Sequence, residues 1–284
     1  MENFSFDAIG TRWEVSLPPF RSSETLMNNI RQRIEDFEST YSRFRDGSLL
    51  SKIAVSHETM ELPKDAKELF DIYKKFTKLT LGSFTPFIGK TLVEAGYDRD
   101  YSFEKKIITK QLVWDEVFEY DFPKLVVKKP VQLDFGAAGK GYIMDIVSKM
   151  IVDFGIKDFV VDAGHDLLCG SNVVKVGLEH PNDSTKAIGV AKISNSSICG
   201  SSGNRRNWGE FHHIINGNTL SSPKDILATW VIAKNAIVAD AISTALFFVK
   251  PEVFQKDYFF EYLILKSNSS IEKSANFPGE IFYA

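Results

Sequence analysis

Apolar positions along this chain recur with two periods, and the alternation between them outlines the fold. From Ser22 onward, Leu26, Ile30, Ile34, Phe37 and Tyr41 return every three or four residues, the spacing of one buried helix face. Pro63 and Asp65 open a second such run, with Leu69, Ile72, Tyr73, Phe76 and Leu79 facing inward until Gly82 and Pro86 break it. Helical spacing returns over 140–154 on Ile143, Ile146, Val147, Met150 and Phe154, and again over 236–249. Residues 4–17 predict a strand pair or one bent strand with Gly10 at the turn, and 107–134 alternate as short strands. Later, 159–162, 173–178, 187–193, 213–215 and 229–233 predict strands, with 262–266 as a closing one. Helices concentrate early, strands late, and no βαβ rhythm appears. The expected class is therefore α+β, with mixed or antiparallel sheets and packed helices, rather than a doubly wound α/β fold.

Composition narrows the frame. A chain of 284 residues, 44% hydrophobic and 25% charged, can bury a full core as one large or two interlocked domains. A net charge of −3 argues against a broad nucleic-acid surface. Cys169 and Cys199 lack metal or redox spacing and read as buried thiols. The start, MENFSFDAIGTRW, has acidic residues and no apolar core of a signal peptide. The longest apolar stretch, 242–249, is too short to span a bilayer.

The most informative segment is LDFGAAGKGYIMD, 133–145. It reads as a strand end (Val131, Leu133), a small-residue turn and the first turn of a helix. Gly136, Ala137, Ala138, Gly139 and Gly141 clear space for a ligand, and Lys140 brings a cation to the unpaired N–H groups of a helix start. That combination suits a phosphate or diphosphate; a tight turn with a solvated lysine is the simpler alternative. Two phosphate motifs fail. A P-loop would need glycine where Asp134 stands and a hydroxyl where Gly141 stands, and the order Gly136, Gly139, Gly141 is not G-x-G-x-x-G.

Other segments offer chemistry with an ordinary alternative beside each. In ADAISTALFF, Asp240 and Thr244 share a helix face one turn apart; carboxylate, hydroxyl and a carbonyl make a hard-oxygen set for Mg²⁺, or else a polar helix edge. SSGNRRNW (201–208) reads as a turn displaying two arginines. In FHHIIN (211–216), one strand histidine faces inward, as a base or as a packed core residue. The five histidines lack zinc spacing. Tyr41, at a helix end, stacks on a flat ring or packs in the core. VVDAGHDLLCG (160–170) is a buried strand breaking at a glycine, flanked by Asp162 and Asp166.

The order of these segments is more specific than any one. IGTRWEV, STYSRFRDGSLLSKI, GSFTPFIG, LDFGAAGKGYIMD, VVDAGHDLLCG, the SSGN turn, HHII and ADAISTALF follow one another as in the ApbE-like FAD:protein FMN transferases, which the chain resembles from about residue 8 to 250. The resemblance implies a single domain over 1–284 with an ApbE-like fold, largely one compact unit of two interlocked subdomains. It implies an enzyme that cleaves the FAD diphosphate with Mg²⁺, joins FMN by a phosphoester to a threonine or serine of an acceptor flavoprotein, and releases AMP. It implies Mg²⁺ on Asp240, Thr244 and the Ala137 carbonyl, with Lys140 neutralising the diphosphate. Asp134 would contact FAD, Tyr41 would stack on the isoalloxazine, and Ile9, Ser83, Phe84, Thr85 and Ile215 would line the flavin. His213 would act as general base, with His212 its outward-facing neighbour.

Departures from the family pattern are local. Thr85 replaces an aspartate, Asn216 to Leu220 replace Asp-Pro-x-Thr-Gly, Ile9 stands where methionine is common, and His165 stands for a glycine. An FAD pyrophosphatase using water at the same site, or an FAD-binding protein without turnover, are the alternative functions. The expected partner is an electron-transfer subunit or flavoprotein bearing a threonine motif, with no nucleic acid and no membrane span. The expected location is cytoplasmic, or exported or lipid-anchored if a leader has been removed.

Overall fold

A computed structural model describes residues 1–97, 102, 112–204 and 207–282. Its frame is an eight-stranded antiparallel sheet. The spatial order is Glu2–Ala8, Thr11–Leu17, Val160–Asp162, Asp166–Cys169, Ser196–Ser202, Ile226–Ala233, Phe260–Lys266 and Ile271–Lys273. The expected α+β class holds. The first two strands form a hairpin whose turn residues, Ile9 and Gly10, have φ of 52° and 67°. Two left-handed turn residues match the twist of the strands they join.

The helices Ser23–Tyr41, Ala66–Leu79, Gly139–Asp153 and Ala236–Ala245 contribute their apolar faces to the main core. Strand Ile226–Ala233 divides its side chains by simple alternation. Val231 and Ala233 join that core, while Ala228, Trp230 and Ile232 join a second one. The second core also takes Leu178, Ile188, Ala191 and Ile193 from a three-stranded sheet of Val174–His180, Asp183–Ile193 and Gly279–Ile281. Burial on both faces explains why Ile226–Ala233 reads as a nearly continuous apolar run.

Several expected elements change on folding. Residues 107–111 lie outside the described residues; the rest of 107–134 contains strands Phe118–Asp121 and Lys124–Val127, preceded by a short helix, Trp114–Val117. Val131 and Leu133 are buried in alternation but belong to no ladder; Val131 N–H bonds to the Ile53 carbonyl at 3.5 Å and Asp134 N–H to the Pro86 carbonyl at 2.8 Å. The third helix turns Gly141, Tyr142, Ile143, Met144, Val147 and Ile151 inward, leaving Phe154 45% exposed beyond its end. Residues 160–170 form a hairpin of two strands rather than one broken strand. Ser196–Ser202 is a central strand that the sequence pattern does not single out and that takes in the first two residues of the expected 201–208 turn; 213–215 lie outside any strand, with Phe211–His212 paired to Asn207–Trp208.

Candidate active site

Residues 141 and 145 stand one turn apart on the Gly139–Asp153 helix, and both grip the start of the Ala236–Ala245 helix. The Gly141 N–H donates to Asp240 Oδ2 at 2.8 Å. The approach is so close that a Cβ at 141 would lie 2.2 Å from the Ala236 carbonyl oxygen and 2.8 Å from Asp240 Cβ. Asp145 accepts from the Ala236 and Ile237 N–H groups at 2.8 and 2.9 Å, capping two orphan donors of that helix. Burial pushes the Asp145 carboxyl up to about 7 against the pull of those two donors.

This grip brings three charged groups together. Lys140 Nζ lies 2.5 Å from Asp166 Oδ2, and Asp166 Oδ1 accepts from the Gly200 N–H at 2.9 Å. Burial pulls the Lys140 ammonium down, but the Asp166 and Asp240 carboxylates outweigh it and hold it above its ordinary range. Asp240 is pushed up to about 7, first by burial and then by Asp166, with Lys140 and the Gly141 N–H pulling the other way. Cys199 shares this environment; burial and then the two aspartates raise its thiol well above its ordinary range, which makes it inert.

Hydroxyls flank the carboxylate. Ser201 Oγ lies 3.2 Å from Thr244 Oγ1 and 2.8 Å from Ser243 Oγ, and Ser243 donates to the Asp240 carbonyl at 2.8 Å. Among the described residues there is no group of three His, Cys, Asp or Glu side chains able to hold a metal ion. A cation here would meet one undercompensated carboxylate plus hydroxyl oxygens, a donor set that fits magnesium, whose waters and substrate oxygens ordinarily complete the shell.

The small-residue turn connects this cluster to a second group. Ala137 N–H donates to the Tyr73 hydroxyl at 3.2 Å. The Tyr73 phenol is raised by burial and then by Asp134 and Asp240, so it senses both acids. Asp134 Oδ2 pairs with Arg43 Nε at 2.7 Å, and its Oδ1 accepts from Gly136 N–H at 2.8 Å. Arg43 also donates to the Tyr97 carbonyl at 2.9 Å and lies over the Phe44 ring at 4.0 Å. Phe44 packs against a small apolar cluster that includes Tyr97 and Ile215.

The remaining residues singled out from sequence sit as follows. Ser83, Phe84 and Thr85 are all buried. Phe84 stacks on Tyr73 at 5.4 Å, and Thr85 Oγ1 accepts from Phe87 N–H at 3.3 Å. The substituted loop is bound to this segment. Gly217 N–H donates to the Ser83 carbonyl at 2.8 Å, and Asn218 Nδ2 donates to Ser83 Oγ at 3.0 Å and the Leu81 carbonyl at 3.2 Å. Tyr41 lies in the core between Phe37 and Phe135 and donates to Asp65 at 2.6 Å. Ile9 is half-buried at the hairpin turn. His213 is half-buried beside His212, their ring centres 6.4 Å apart. His212 does not face outward: its Nε2 is 2.8 Å from the Pro223 carbonyl, its ring packs on Phe247, and burial lowers its pKa. Arg205 and Arg206, the two arginines of the 201–208 turn, lie outside the described residues.

Folding thus brings Lys140, Asp240 and Thr244 together around Asp166 and Ser201. Asp166, Ser201, Tyr73 and Arg43 were given no role from sequence. Asp166 alone carried a signal, an acid inside an otherwise apolar strand.

A model of the ApbE family matches residues 9–256. The chain is 23% identical over 264 residues to an FAD:protein FMN transferase of Buchnera aphidicola subsp. Schizaphis graminum, covering 84% of this chain and 77% of that protein. It is 22% identical over 275 residues to an FAD:protein FMN transferase of Vibrio cholerae, covering 86% and 80%. The crystal structure of the ApbE protein from Thermotoga maritima superposes with a TM-score of 0.86 at 22% identity, over 96% of this chain and 97% of that one.

Proposed function

The chain belongs to the ApbE family, and we propose that it is an FAD:protein FMN transferase built as a single domain over 1–284. The observation that carries this reading is the meeting of Lys140, Asp166, Asp240 and Thr244 where two helices touch. A buried cation beside a carboxylate–hydroxyl pair suits a diphosphate together with a hard divalent ion.

In the proposed reaction FAD is the substrate. An acceptor threonine or serine oxygen attacks the phosphorus of the FMN half; the bond from that phosphorus to the bridging oxygen breaks, and AMP leaves with that oxygen. Asp240, Thr244 and the Ala137 carbonyl would hold Mg²⁺. When bound, it would polarise the phosphate oxygens and stabilise charge on the departing AMP. Lys140 binds diphosphate oxygens and keeps its proton, because the two aspartates hold its pKa up. Asp134, fixed by Arg43 and the Gly136 N–H, orients the FAD beside the turn. Ile9, Tyr41, Ser83, Phe84, Thr85 and Ile215 would shape the flavin end. For Tyr41, Ile215 and the 83–85 segment that role requires side-chain rearrangement, since all of them are buried. His213 would accept the acceptor hydroxyl's proton as general base. The acceptor would be a flavoprotein or electron-transfer subunit with a threonine or serine motif. Among the described residues no helix is long and apolar enough to cross a membrane.

Intact-mass spectrometry of a threonine-motif acceptor domain, incubated with this protein, FAD and Mg²⁺, tests the proposal. The expected result is an FMN-sized mass gain with AMP released, both lost in Asp240→Ala. AMP with no mass gain in any acceptor would instead mean hydrolysis to FMN and AMP. FAD bound with neither product would mean a binding protein without turnover.

A further inference from the structure

Asp166 is 1% exposed, and its two oxygens divide their work. Oδ1 takes the Gly200 N–H at 2.9 Å, which ties strand Asp166–Cys169 to strand Ser196–Ser202. A neutral amide oxygen would serve equally there. Oδ2 lies 2.5 Å from Lys140 Nζ, so the cation proposed to meet the diphosphate is already paired with a carboxylate. Asp240 accepts the N–H of Gly141, the residue after Lys140, at 2.8 Å, so a second carboxylate stands beside the same turn. The three side chains therefore offer an incoming diphosphate no net positive charge, whether or not Asp240 holds a proton. A divalent cation on Asp240 and Thr244 would supply that positive charge.

We propose that Asp166, by cancelling the charge of Lys140, makes diphosphate binding at this site conditional on a divalent cation. Asp166 is a positioning residue acting through Lys140, and it sets the order of assembly: cation with or before dinucleotide. This inference rests on the flavin-transferase reading above.

The test compares Asp166→Asn with wild type in FAD binding, followed by quenching of flavin fluorescence, once with Mg²⁺ and once with EDTA. Wild type is expected to bind FAD far more weakly in EDTA. In Asp166→Asn, removal of one buried negative charge should raise metal-free FAD affinity about tenfold and shrink the Mg²⁺ dependence to match. Riboflavin, which lacks the diphosphate, should bind both proteins alike, and Asp166→Ser provides a second neutral variant should the amide perturb folding. An unchanged Mg²⁺ dependence in both variants, or FAD affinity reduced equally with and without the ion, would overturn the inference while leaving the transferase reading intact. Failure of wild type to bind FAD under either condition would overturn both.

Discussion

Gly141 and Gly139 lie in the same helical turn, yet alanine should have opposite effects at the two. At 141 a Cβ would stand 2.2 Å from the Ala236 carbonyl oxygen and 2.5 Å from its carbon, both backbone atoms that no rotamer change can move. Carbon–oxygen contacts ordinarily settle near ~3.3 Å, so the two helices must separate by about 1 Å. Such overpacking costs about 1–3 kcal/mol. Separation also stretches the 2.8 Å bond from Gly141 N–H to Asp240. A bond to a charged group contributes roughly 1.5–3 kcal/mol. Against this stands a helix-propensity gain of at most about 1 kcal/mol. The expected net loss for Gly141→Ala is about 2–4 kcal/mol. At 139 the added methyl would meet Phe37 Cζ at 3.5 Å and Phe135 Cβ at 3.7 Å, ordinary contacts, so Gly139→Ala should be neutral or stabilising by up to about 1 kcal/mol. Urea unfolding of the two variants and wild type measures both, as shifts of the midpoint at constant slope. FMN transfer should fall in Gly141→Ala because Asp240 is displaced. Equal stability of Gly141→Ala and Gly139→Ala would refute the argument that helix contact, rather than backbone freedom, demands glycine at 141.

Asp145→Ala removes both caps of the Ala236–Ala245 helix and should cost about 1–2 kcal/mol in thermal or urea unfolding. Its raised pKa sets a pH dependence as well. A carboxyl at about 7 when folded, against 3.8 ordinarily, binds its proton more tightly in the folded state. The corresponding stabilisation is complete below about pH 4 and fades as pH rises through about 7. Wild type should therefore gain on Asp145→Asn between pH 8 and pH 5; a constant difference would contradict this. For Asp240, also near 7, the cation must displace a proton at low pH, so Mg²⁺ affinity by calorimetry should drop steeply below pH 7 and level off above it. Asn218→Leu, which removes two donors to the Leu81–Ser83 segment, should weaken FAD binding several-fold with a smaller effect on turnover. A fall in turnover alone would place that loop with the acceptor instead.

Local pattern was enough to define what neighbours in sequence decide. The Leu26–Tyr41 and Leu69–Phe76 faces, the hairpin turn at Gly10 and the α+β class follow from side-chain periodicity, because helix and strand geometry relate residues only a few positions apart. The order of motifs carried the family, and the spacing of Asp240 and Thr244 put them on one helix face. Tertiary structure decided the rest. Residues 131 and 134 meet single carbonyls of Ile53 and Pro86 rather than a strand, and 196–202 is a central strand because Asp166–Cys169 and Ile226–Ala233 flank it. Asp166 is 26 residues from Lys140 and 74 from Asp240 by their numbering, on three different elements. The 2.5 Å ion pair joins the Lys140 helix to strand Asp166–Cys169, and Gly141 admits the Asp240 helix beside it. Charge acts through distance in space, so the electrostatics of this site belong to the fold, although the glycine that permits them is written in the chain.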